Sequence, residues 1–144
     1  MRFLLGLLFF FLFLPTAQAV DIFMQTSGAK VVLPSASRAV TTTSSITISP
    51  AMKCGHVIVN VTAFTAGALT PHIQDYDPAS NTYYDVLVGP AIASTGKTVL
   101  KVCPGITPIA NGAAADFLTT NWQIQMVAGT ADAITYSVGM EVSP

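Results

Sequence analysis

Apolar residues recur at every second position in three stretches of this chain, and that period decides most of what it can become. In Gly55 to Phe64, Val57, Val59, Val61 and Ala63 alternate with His56, Ile58, Asn60, Thr62 and Phe64. Trp122, Ile124 and Met126 alternate with Gln123 and Gln125. Ile134, Tyr136, Val138, Met140 and Val142 alternate with Thr135, Ser137, Gly139 and Glu141. Successive side chains of a strand point to opposite faces, so each stretch reads as a strand with one buried face. In the first, the small branched set is the core face, because Asn60 and Thr62 then stay wet.

Further strands are expected at Lys30 to Leu33, Ser45 to Ser49, His72 to Asp77, Tyr83 to Val88 and Thr98 to Cys103. Turn chemistry separates them. Asp77-Pro78-Ala79-Ser80-Asn81 is a hairpin loop, because Pro presets φ while Asp and Asn bond their own backbone. Gly89-Pro90, Thr95-Gly96 and Cys103-Pro104-Gly105 are further breaks. Ile106 to Thr120 reads as a long crossover with room for one helical turn. Thr41 to Ser45 is a hydroxyl-rich run open to three readings: an edge strand, a flexible arm or a glycan-bearing stretch. The expectation is a single-domain, all-β, antiparallel sandwich of jelly-roll or Ig-like type with about eight strands.

The N-terminus obeys different rules. Met1-Arg2 is followed by Phe3 to Leu14, apolar except for Gly6, then by Pro15-Thr16 and Ala17-Gln18-Ala19. A positive start, a short apolar run and small residues before a cut mark a signal peptide. The run falls short of the ~20 residues that cross a bilayer. Residues 1–19 are therefore read as a signal peptide, residues 20–49 as an arm with edge strands, and residues 50–144 as the sandwich body. The alternative is an uncleaved N-terminal anchor, which would be the chain's one contact with a membrane.

Charge excludes several functions. Lys plus Arg is 6 and Asp plus Glu is 7 among 144 residues, so charged residues are 9% and the net charge is −1. Phosphate-reading proteins need a basic face, and this chain has too few cations for nucleic acid. Enzyme chemistry finds few groups. His56 and His72 read as solvated strand residues, no Gly-x-Ser-x-Gly elbow occurs, and a glycosidase pair would have to come from six Asp and one Glu. Ser94-Thr95-Gly96-Lys97-Thr98 resembles the end of a P-loop but leads into a strand rather than a helix. Asp75, Asp77 and Asn81 match no calcium-loop spacing. No catalytic residue, cofactor or metal is expected.

Two features remain. Cys54 and Cys103 are the only cysteines, and an even count in an exported chain favours a bridge over two buried thiols. Closing that loop would contribute about 4 kcal/mol in the chain-entropy picture. It is not the immunoglobulin pattern, since Trp122 follows both cysteines. Tyr76, Tyr83 and Tyr84 cluster around the hairpin. Tyr84, Val86 and Val88 read as the inward set, which leaves Tyr83 and Tyr76 as candidate surface-binding residues. Cross-strand aromatic pairing is the plainer alternative for them.

From about Ser27 onward the chain resembles a family of small virion-associated proteins of tailed bacteriophages and prophages. The resemblance is carried by Asp77-Pro78-Ala79-Ser80 with Tyr83-Tyr84, by Thr98 to Val102 with Pro104-Gly105-Ile106, by Asn121-Trp122, and by Ala131 to Gly139. It implies a non-enzymatic structural protein, a capsid decoration or tail component, that self-associates or binds capsid or tail proteins. The export signature and the two cysteines depart from that pattern and point to an oxidising compartment. The expected location is therefore a virion, or the periplasm or exterior after cleavage. The competing reading is a secreted binding module, an adhesin or carbohydrate-binding sandwich.

Overall fold

The computed structural model describes residues 22–24 and 28–144, so the segment read as a signal peptide lies outside the described residues. Ten strands are present: β1 (Ile22–Met24), β2 (Gly28–Arg38), β3 (Thr42–Ile48), β4 (Cys54–Ala63), β5 (Leu69–Asp77), β6 (Thr82–Val88), β7 (Gly96–Val102), β8 (Ala113–Ala114), β9 (Asn121–Ala128) and β10 (Ile134–Ser143). They form two five-stranded sheets. Sheet I has the order β1-β3-β9-β5-β6 and sheet II the order β2-β10-β4-β7-β8. The fold is an all-β sandwich.

The core lies between the sheets and consists of the period-two sets. Val57, Val59 and Val61 meet Trp122, Ile124 and Met126 together with the alternate residues Ile134 to Val142, all buried. Each such aliphatic side chain contributes roughly 1.5–3 kcal/mol on burial. Ile46 and Ile48 of β3 and Val32 and Leu33 of β2 join the same cluster.

Several expectations change. The strands number ten rather than about eight, because short edge strands are added. β1 pairs with β3 and β8 with β7, both in parallel, so the sheets are not wholly antiparallel. The crossover from Ile106 to Thr120 contains β8 and no helical turn; Asn111, at φ 58, turns the backbone left-handed and blocks a helix there. β2 runs on past Leu33 through Pro34 to Arg38. Proline is tolerated there because β2 is an edge strand. Register shifts against β10 let the consecutive residues Val32 and Leu33 both turn inward.

Cys54 and Cys103 form a disulfide, with Cα atoms 4.2 Å apart. Gly55 faces Val102 across β4 and β7, so the bridge closes the end of two neighbouring strands within sheet II. In an immunoglobulin domain the corresponding bridge joins the two sheets. Trp122 sits on β9 in sheet I, fully buried.

Candidate functional site

The one tight hairpin of sheet I joins β5 to β6, and the expected turn chemistry builds it. Asp77 accepts the Ala79 N–H at 2.9 Å and the Ser80 hydroxyl at 2.6 Å. Those two donors, Ser80 first, hold the Asp77 carboxyl below its ordinary value of 3.8. Asn81 closes the loop at φ 56, a conformation that Asn tolerates.

This turn sets Tyr76 directly opposite Tyr83. Their rings lie 5.3 Å apart, tilted by 56°, and the Tyr76 hydroxyl donates to Asn81 Oδ1 at 2.5 Å. The two tyrosines thus pair across the hairpin, and Tyr83 still keeps 37% of its surface exposed. Together with Ser45, Thr47 and Asn121 they line an open depression of about 420 Å³ on the outer face of sheet I. Beside it, a polar file crosses the strands. Gln123 Nε2 donates to Gln74 Oε1 at 2.7 Å, and Gln74 Nε2 donates to Asp85 Oδ1 at 2.8 Å. His72 Nδ1 lies 3.0 Å from the same oxygen. His72 is thus half-buried and paired rather than simply solvated, whereas His56 is exposed on sheet II.

The inward set of β6 differs from expectation. Opposite β5, Ile73 faces Leu87 but Gln74 faces Asp85, so Val86 is an extra residue and the alternation flips there. Tyr84 shares the inner side with Asp75, while beyond the bulge Leu87 is the buried residue in place of Val88. Tyr84 remains 51% exposed, and its hydroxyl donates to Asp75 Oδ2 at 3.3 Å. Desolvation, and then the charges of Asp75, Asp116 and Asp77, push its phenol above 10.0, so it stays a donor. The buried Asp75 carboxylate also accepts the Tyr76 N–H at 2.8 Å and the Thr119 hydroxyl. This anchors the tyrosine strand to the crossover. Sequence reasoning passed over Thr119 and the glutamine file, whose members become neighbours only through strand register.

Asp75, Asp77 and Asn81 do not converge; each is engaged by a different partner. Among the described residues, no three His, Cys, Asp or Glu are grouped to hold a metal, and no helix is long and apolar enough to cross a membrane. Ser94 and Thr95 form a bend leading into β7. His56 lies beside Cys54, Glu141 and Ser143 in a small depression of about 160 Å³, on the opposite sheet from His72.

Fold and site together define a charge-poor β-sandwich with one outer face lined by aromatic and amide side chains. No family model matches the chain, and no curated protein matches it. Among solved structures it is similar to PliG of Aeromonas hydrophila, described as a periplasmic lysozyme inhibitor of g-type lysozyme. The two share 9% identity at a TM-score of 0.42, over 86% of this chain and 100% of that one. A likeness of that degree carries no argument about function.

Proposed function

We propose that this chain is an exported, non-enzymatic binding module of the adhesin or carbohydrate-binding kind, acting through the outer face of sheet I. The observation that carries this reading is the Tyr76–Tyr83 pair standing over a depression flanked by amides and hydroxyls. A tyrosine ring covers the C–H face of a sugar while its edge stays wet, and fixed amides orient the hydroxyls. The depression has the size of small-ligand sites, roughly 300–1,000 Å³. The disulfide and the N-terminal signature support an oxidising compartment. A glycan array probed with wild type, Tyr83→Ala and His56→Ala tests the reading. Tyr83→Ala should weaken binding roughly thirtyfold, the effect of losing an anchor worth about 2 kcal/mol, and His56→Ala should bind as wild type. Unchanged binding by Tyr83→Ala overturns it.

A second reading draws on sheet II. Val31, Gly139, Ile58 and Val99 stand in one row across its outer face, with Val31 66% and Val99 46% exposed. An apolar row of this kind suits the self-association or lattice binding implied by the virion resemblance.

A further inference from the structure

We infer that the ligand of the sheet I face is a glycan without acidic groups, bound more tightly when it carries free amines, and that Asp85 reads this charge. The inference rests on the binding role proposed above and adds its selectivity.

The polar file has a direction that its chemistry imposes. An ionised carboxylate only accepts, so Gln74 turns its amide NH2 toward Asp85 Oδ1, 2.8 Å away. Its carbonyl then faces Gln123, which answers with its own NH2 at 2.7 Å. His72 Nδ1 adds a contact to the same Asp85 oxygen at 3.0 Å. Donors are thereby directed inward along the file, and acceptors are left over. Asp85 Oδ2 and Gln123 Oε1 receive no hydrogen bond among the described residues, and the Asp85 side chain is 40% exposed. Such a face suits ligands rich in donors: hydroxyls and, above all, ammonium groups.

Charge placement sharpens the choice. No Lys or Arg lies on β3, β9, β5 or β6. Lys30 and Arg38 are on β2, Lys97 and Lys101 on β7, all in sheet II. Arg38 is further engaged by the carbonyls of Tyr136 at 2.9 Å and Pro34 at 2.8 Å. A uronic or sulfated sugar seated by Tyr83 would bring its anion toward Asp85 with no Lys or Arg to offset it, and with His72 a cation there only when protonated. That repulsion selects against acidic partners. An amino sugar instead gains a charge-assisted bond.

The test is calorimetric titration of the disulfide-intact protein at low salt and near-neutral pH, where an ordinary imidazole carries little charge. Three β-linked hexasaccharides serve as probes: N-acetylglucosamine, fully deacetylated glucosamine, and a uronate. Melting curves confirm that each variant is folded. Affinity should fall in the order amine, neutral, acidic, with about tenfold between amine and neutral, the usual advantage of a charged over a neutral hydrogen bond. Asp85→Asn should collapse the amine-to-neutral ratio, and Lys97→Ala, on the opposite sheet, should preserve it. A uronate that binds as tightly as the neutral sugar overturns the inference while leaving the glycan-binding role intact, and so does a ratio that survives Asp85→Asn. Failure of the underlying reading looks different. Either no sugar binds, including the case where the face captures only a protein, or all three bind and Tyr83→Ala changes nothing; both remove this inference with it.

Discussion

The two outer faces of this sandwich keep their strands together by different means. Sheet I carries a wired surface, in which Gln123, Gln74, Asp85 and His72 are linked across β9, β5 and β6, with the paired tyrosines at one end. Sheet II carries an apolar row of Val31, Ile58 and Val99 between polar neighbours, and its strand ends are joined covalently by Cys54–Cys103. Hydrogen-bonded side chains hold groups at fixed positions for a ligand. A covalent staple fixes the frame at the strand ends and leaves the outer face to its apolar row. The difference teaches what each face can offer: positioned polar groups on sheet I, and on sheet II an apolar row suited to association with another surface.

The largest expected effect breaks the staple. The double variant Cys54→Ser/Cys103→Ser should lose about 4 kcal/mol of stability. Its melting temperature should fall by roughly ten degrees, at about 2–4 °C per kcal/mol for a chain of this size. Ligand binding through sheet I, measured well below the new transition, should stay near the wild-type value. An unchanged melting temperature would remove the staple from the comparison. A weaker effect breaks the wiring. Gln74→Leu strands Gln123 and Asp85 without their shared partner, so the urea midpoint should drop by about 1 kcal/mol equivalent and binding should weaken as well. Val99→Thr on the opposite sheet should do neither. If both variants behave alike, the two faces are not functionally distinct.

The smallest effect lies in the hairpin. The Asp77 carboxyl is held below 3.8 by the Ser80 hydroxyl and the Ala79 N–H. A depressed folded-state value means that its stabilisation is present above the unfolded value and is lost as pH falls through the folded one. Asp77→Asn should therefore be slightly less stable than wild type at neutral pH, and the two should converge in strong acid. Thermal unfolding at both pH values measures this. A gap that persists in acid would show that the carboxylate's charge is not what the loop uses.

Much of the fold was legible because buried strands write their periodicity into the sequence. Val57, Val59, Val61, Trp122 and Tyr136 were placed by alternation alone, and the cysteines by their number and flanking strands. The errors came where local pattern and register part company. The bulge at Val86 flips the face of β6, and nothing in Tyr83-Tyr84-Asp85-Val86-Leu87-Val88 announces it. The strand expected at Lys30 to Leu33 runs on through Pro34 to Arg38, because an edge strand tolerates proline. Of the candidate site, the meeting of Tyr76 with Tyr83 was legible because a turn brings them together over a few residues. Gln74 and Gln123 were not, since they are 49 residues apart and meet only once β5 and β9 align.

β10 is the last of the ten strands in chain order, yet it occupies an inner position of sheet II, between β2 and β4. Until Ile134–Ser143 has emerged from the ribosome, β2 and β4 have nothing to join them. Sheet II then remains in two pieces, and sheet I has no complete layer to pack against. The order of synthesis thus postpones folding to the final strand, because distant segments must meet before any contact rewards them.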